Sequence, residues 1–249
     1  MIGGTGPVWR RLLAELLGTT LLVTVIVGSG IAASQLSPND AGLQLLENST
    51  ATAFGLAVLI LMFGPVSGAH FNPVVSAADW LLGRRARAGI DSLRAVAYAA
   101  VQTVGGVFGA ILANIMFDRS ALEISTKERS TLGHIVGEVV ATAGLIALVF
   151  ALARTGRAAL SAAAVGAYIG AAYWFTSSTS FANPAVTVGR VFSDTFAGIA
   201  PTSVPVFIAA QVAGALIGMA LVVTLYPEAA QIADRVVVPH GQSEERSPP

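Results

Sequence analysis

The sequence predicts an all-α membrane protein: six transmembrane helices plus two re-entrant half-helices in an inverted 3+3 repeat. Three observations predict it. The composition is too apolar for a soluble surface, six apolar stretches have membrane-crossing length, and two Asn-Pro segments stand at repeat-related positions. The chain has 249 residues, of which 54% are apolar and 11% charged. A soluble domain carries about 25% charged residues. Lys plus Arg balance Asp plus Glu at 14 each, so no nucleic-acid partner is expected. The absence of cysteine excludes disulfides, iron–sulfur clusters and thiolate chemistry. His70, His134 and His240 lie far apart, which argues against a multi-histidine metal centre. Neither a cofactor nor a metal is expected.

A bilayer crossing takes roughly 20 apolar residues. Six stretches qualify: 12–33, 51–68, 93–116, 134–153, 158–178 and 203–226. The first is too long for the core of a cleavable signal and is read as the first membrane helix. Ten Lys and Arg residues fall on the side of Arg10, Arg11, Arg84 and Arg154, and four on the other. The positive-inside rule then places both termini in the cytoplasm of a multi-pass inner-membrane protein. One channel-forming domain over 1–226 is expected, with halves at about 10–116 and 134–226. Residues 227–249 turn polar and read as a flexible cytoplasmic tail.

The halves are legible as a repeat. Ser67-Gly-Ala-His-Phe-Asn-Pro-Val-Val-Ser76 aligns with Ser178-Thr-Ser-Phe-Ala-Asn-Pro-Ala-Val-Thr187. Asn72 pairs with Asn183 at an offset of 111. Gln102, Gly105 and Gly109 pair with Gln211, Gly214 and Gly218 at an offset of 109, and Glu15 with Glu138 at 123. Three spans per half is an odd number, so the second half sits upside down. A lone Asn-Pro is a turn signal. Two at matched positions of an inverted repeat indicate a shared device.

Asn is a preferred N-cap and Pro a preferred first helical residue. The apolar runs after Asn72-Pro73 and Asn183-Pro184 are too short to span a bilayer. They read as half-helices, Val74 to Gly83 and Ala185 to Phe192, that start near the midplane. Each helix start carries roughly half a positive charge, and two facing starts repel cations. The Asn oxygens cap the helices, which leaves their NH2 groups to donate to a passing molecule. Such a lumen suits small neutral solutes better than ions.

These motifs resemble the major intrinsic protein family, the aquaporins and aquaglyceroporins. The resemblance covers roughly residues 10–226. It rests on the two boxes Asn72-Pro73-Val74 and Asn183-Pro184-Ala185, on Glu15-Leu-Leu-Gly-Thr, and on Gln102 and Gln211. It implies a homotetramer with one pore per protomer, passing water and small uncharged solutes passively and without chemistry. Val74 replaces the usual Ala. More consequentially, Val186 stands where most members carry Arg at the narrowest constriction. Arg190 follows four positions later, about one helical turn, ~6 Å. Two readings stay open: Arg190 faces the outer vestibule, or it snorkels to headgroups or pairs with Asp194. Family spacing assigns Ala171 and Ser180 to the constriction. For its fourth member the local match gives Phe54, whereas counting back from Asn72 gives Thr52; Phe54 is taken. Small walls at Ala171, Ser180 and Val186 argue for a wide pore passing glycerol-like polyols. The second box also looks like a bacterial subgroup linked with arsenic resistance, which makes arsenious acid a candidate solute.

Glu15 and Glu138 are intramembrane acids. Either they relay protons or they brace the re-entrant loops, and their repeat-related positions favour bracing. His70 could gate the pore with pH, but its place in the box favours loop bracing. Gly105/Gly109 and Gly214/Gly218 are small-xxx-small pairs that permit close helix crossing. Asp79 is expected to pair with Arg84 or Arg85. An alternating-access transporter would also use inverted repeats, but no coupling-ion site is evident beyond the two glutamates.

Overall fold

The computed structural model describes residues 7–84 and 89–227. Arg85 and the tail beyond residue 227 lie outside the described residues. Among the described residues, six helices are long and apolar enough to cross a membrane. They are α1 (Val8–Leu36), α2 (Ala41–Ser67), α4 (Ser92–Met116), α5 (Leu132–Arg154), α6 (Ser161–Phe175, preceded by a 3-10 turn) and α8 (Val204–Leu225). Between them stand the short helices α3 (Pro73–Gly83) and α7 (Pro184–Gly189). The 3-10 turn Arg190–Phe192 continues α7.

The spans begin and end close to their expected bounds, with one exception. Helix α2 starts at Ala41, ten residues before the expected start. Asp40 caps it, accepting from the Leu43 amide at 2.9 Å. Its first turns carry Gln44, Glu47 and Asn48, so a hydropathy reading misses them. Asn48 is nevertheless buried, and its amide donates to the Ile26 carbonyl at 2.9 Å.

The core is made by matched helix pairs. Helix α1 packs along α4, and α5 along α8. Gly109 and Gly218 set these crossings. A methyl group on Gly109 would lie 2.3 Å from the Thr20 carbonyl oxygen, and one on Gly218 would lie 2.6 Å from that of Ala143. Thr20 and Ala143 are separated by 123 positions, the offset that relates Glu15 to Glu138. The repeat read from sequence is therefore a repeat of contacts. Large apolar side chains point away from the bundle on every long helix, among them Leu61 on α2, Phe108 on α4 and Leu216 on α8. In water such a surface would be unfavourable; against lipid tails it is not.

Candidate functional site

The segments before α3 and α7 are the irregular part of the interior. Gly68, Ala69 and Phe71 have φ of 91°, 50° and 49°; Thr179, Ser180 and Ala182 have 61°, 49° and 46°. The same three positions of each repeat thus adopt the left-handed region, which non-glycine residues avoid. Strained backbone persists only where its surroundings over-determine it. Here a buried carboxylate does so in each half. Glu15 accepts from the His70 amide at 3.0 Å, the Phe71 amide at 2.7 Å, Ser67 Oγ at 2.6 Å and Gln102 Nε2 at 2.7 Å. Glu138 accepts from the Phe181 amide at 2.8 Å, the Ala182 amide at 2.9 Å and Gln211 Nε2 at 2.7 Å. Gln102 also donates to Ser76 Oγ, and Gln211 to Thr187 Oγ1. With the amides turned toward a glutamate, the loop carbonyls are free to turn elsewhere.

Each box asparagine starts its half-helix. Asn72 Oδ1 accepts from the Val74 amide at 3.1 Å; Asn183 Oδ1 accepts from Ala185 at 2.9 Å and Val186 at 3.3 Å. Pro73 and Pro184 take the first helical position. The NH2 groups are not wholly free, contrary to the expectation from sequence. Asn72 Nδ2 donates to the Ala182 carbonyl at 2.7 Å, and Asn183 Nδ2 to the Phe71 carbonyl at 2.7 Å. Each asparagine thus reaches across to the other half's loop. One amide hydrogen per side chain remains for a third partner.

A cavity runs past these groups, lined by Asn72, Asn183, His70 and Phe71 and by apolar residues of α1, α2, α5 and α6. The space open to the centres of water-sized molecules is about 60 Å³. At about 10–15 Å³ each this admits roughly four to six waters. Its walls are mainly Leu, Ile and Val, with Arg190 as the one charged residue among the described lining residues.

Two expected constriction residues are not in its wall. Phe54 is 71% exposed on the opposite face of α2. The lining positions there are Thr52, Leu56 and Ile60. On α6 they are Val165, Ile169 and Tyr173, and Ala171 is exposed. In both helices the wall repeats every four residues, so a residue two positions away is turned by about 200°. Counting back from Asn72 gives the α2 residue that lines the cavity, and the lining residue on α6, Tyr173, lies two positions from the one the family spacing gives. Thr52 and Tyr173 join across the cavity, with 3.2 Å between their hydroxyl oxygens. Ser180 and Val186 do line the cavity. Ser180 Oγ is buried and has no hydrogen-bond partner among the described residues.

Arg190 neither snorkels nor pairs with Asp194. It is 1% exposed, its Nε donates to the Ala197 carbonyl, and its guanidinium lies 3.5 Å from the Phe181 ring centroid. Asp194 instead accepts from the Thr126 amide at 2.9 Å. Arg190 and Val186 line one cavity, as residues one turn apart on a common face should. His70 Nδ1 is 3.0 Å from Ser76 Oγ, and its ring stands edge-on to Tyr98. Asp79 Oδ2 accepts from the Ile90 amide at 2.9 Å, which ties the chain after α3 back to that helix. Arg84 stacks on Trp80.

Known proteins share this arrangement. Residues 5–180 match the family model described as "Major intrinsic protein". The chain is 47% identical over 212 residues to the aquaglyceroporin AqpS of Rhizobium meliloti, covering 85% of this chain and 88% of that protein. It is 32% identical over 251 residues to aquaporin-2 of Bos taurus, covering 93% and 84%. The X-ray structure of the aquaglyceroporin from Plasmodium falciparum superposes with a TM-score of 0.63 at 17% identity, covering 87% of this chain and 96% of that one. On its family match and its similarity to these proteins over most of their length, the chain belongs to the major intrinsic protein family.

Proposed function

We propose that this protein is a passive membrane channel for water and small uncharged solutes, glycerol-like polyols first among them. One observation carries the reading. Two half-helix N-termini meet at a cavity with few hydrogen-bonding groups, mostly apolar walls and, among the described residues, a single lining charge. A polar neutral molecule can exchange bonds with Asn72, Asn183 and the loop carbonyls as it passes. A cation meets two positive helix ends and no ring of acceptors to replace its hydration shell. Arsenious acid, neutral near pH 7 and similar in size to glycerol, fits the same description. The similarity to an aquaglyceroporin over most of both chains supports the solute class.

In this reading Thr52, Tyr173, Ser180 and Val186 form the selective constriction, and Arg190 sits one turn beyond it, toward the outer vestibule. Glu15 and Glu138 brace the loops, and His70 braces the first through Ser76. The channel performs no catalysis. It sits in the inner membrane as a homotetramer with both termini in the cytoplasm, and 1–226 form its single channel domain.

Liposomes carrying the protein test the reading by stopped-flow light scattering under a glycerol gradient. Fast shrinkage followed by fast re-swelling is expected. Shrinkage without re-swelling beyond that of protein-free vesicles would leave a water channel and remove the polyol assignment. The Tyr173→Ala variant opens the wall opposite Thr52. Its glycerol permeability is expected to rise roughly two- to five-fold, a barrier change of about 0.4–1 kcal/mol. An unchanged value would take Tyr173 out of the constriction.

A further inference from the structure

One bond to the start of the first loop has no counterpart in the second half. In the first half Tyr98 OH donates to the Ser67 carbonyl at 3.0 Å, and the Tyr98 ring stands edge-on to His70 with centroids 5.4 Å apart. The offsets of 111 and 109 carry Ser67 to Ser178, His70 to Phe181 and Tyr98 to Phe207. The aromatic pair is kept: Phe181 and Phe207 stand edge-on at 5.2 Å. The hydroxyl is not, because Phe207 has none. The Ser178 carbonyl, at the start of a loop with three left-handed residues, has lost its repeat-related donor.

Another residue occupies that role. Arg129, in the segment joining the halves, donates from Nη1 to the Ser178 carbonyl at 3.3 Å. Its Nε donates to the Gly198 carbonyl at 2.8 Å and its Nη2 to the Phe196 carbonyl at 3.3 Å. The side chain is buried, and its guanidinium lies 5.1 Å from the Phe181 centroid, the ring that Arg190 also covers. Its backbone amide donates to Ser203 Oγ at 2.9 Å. Burial lowers its pKa to about 10, which leaves it charged at neutral pH.

We propose that Arg129 is a positioning residue of the pore: it does for the second re-entrant loop what Tyr98 does for the first, and adds a buried positive charge on that side. The inference rests on the channel reading. It makes the linker between the repeats part of the conduction machinery. It also separates geometry, which a neutral hydroxyl can supply, from charge, which it cannot.

That separation gives the experiment. Wild type, Arg129→Met and the double variant Arg129→Met/Phe207→Tyr are reconstituted in liposomes. Glycerol flux is read by light scattering and proton entry by a trapped pH-sensitive dye. Arg129→Met is expected to lower glycerol permeability roughly five-fold, since the lost bonds are charge-assisted, and to raise proton entry. Phe207→Tyr places a hydroxyl at the position equivalent to Tyr98. It is expected to restore most of the glycerol flux without restoring proton exclusion. Unchanged flux in Arg129→Met would overturn the proposal, as would a folded double variant that stays slow. Restoration of both properties by the hydroxyl would overturn the role given to charge. Should Arg129→Met fail to accumulate in membranes, Arg129→Gln, also neutral, with and without Phe207→Tyr is scored in the same way. A wild type that conducts neither water nor glycerol would strike at the channel reading instead.

Discussion

Replacing Glu138 by Leu is expected to prevent stable folding. The carboxylate accepts from the Phe181 and Ala182 amides and from Gln211 in a site with no access to solvent. Leu leaves two buried backbone N–H groups without partners, at about 1–3 kcal/mol each. It also removes what holds a left-handed loop in place. A loss of several kcal/mol is a large share of the ~5–15 kcal/mol that keeps a typical protein folded. Thermal unfolding of the detergent-solubilised protein, followed by the fraction remaining monodisperse, measures it. Glu15→Leu should behave alike, because His70, Phe71, Ser67 and Gln102 depend on it in the same way. Wild-type thermal stability in either variant would show that the loops hold their shape without the carboxylates.

Val186→Arg is expected to close the pore to glycerol while leaving the fold intact. Val186 is 2% exposed, lines the cavity, and follows the capped start of α7 by two residues. A guanidinium there fills space in a cavity of about 60 Å³. It also stands one turn from Arg190, whose Nε is held by a neutral carbonyl and not by a carboxylate. Glycerol permeability should fall by roughly ten-fold or more, a barrier increase of about 1.4 kcal/mol. Water permeability should fall less. Stopped-flow measurements on one vesicle preparation supply both numbers, and unchanged glycerol flux would remove Val186 from the constriction.

The sequence carried more of the fold than of the site. Spans were legible because lipid demands long apolar runs, and the half-helices because Asn-Pro has a mechanism at a helix start. The polar first turns of α2 were not legible, since Gln44, Glu47 and Asn48 hide the helix from a hydropathy count. At the site, the glutamates were legible through their repeat-related positions. The cavity wall was legible only where its residues are chained closely to the boxes, as Ser180 and Val186 are. Thr52 and Tyr173 hang on helices whose rotation depends on loop length. A two-residue error turns such a helix to its far face, as Phe54 and Ala171 show. A four-residue stride drawn through Thr52, Leu56 and Ile60, or through Val165, Ile169 and Tyr173, was the available signal. Arg129 carried none, because its partners are backbone carbonyls, which no sequence pattern marks.

The bonds at the pore centre also bear on the order of assembly. Glu15 is satisfied within residues 15–102, and Glu138 within residues 138–211. Each half therefore carries its own brace and can shape its loop as it leaves the ribosome, the first ahead of the second. The crossed asparagine bonds, Asn72 to Ala182 and Asn183 to Phe71, and the Thr52–Tyr173 contact need both halves at once. The lumen therefore takes its final shape only once both halves are present.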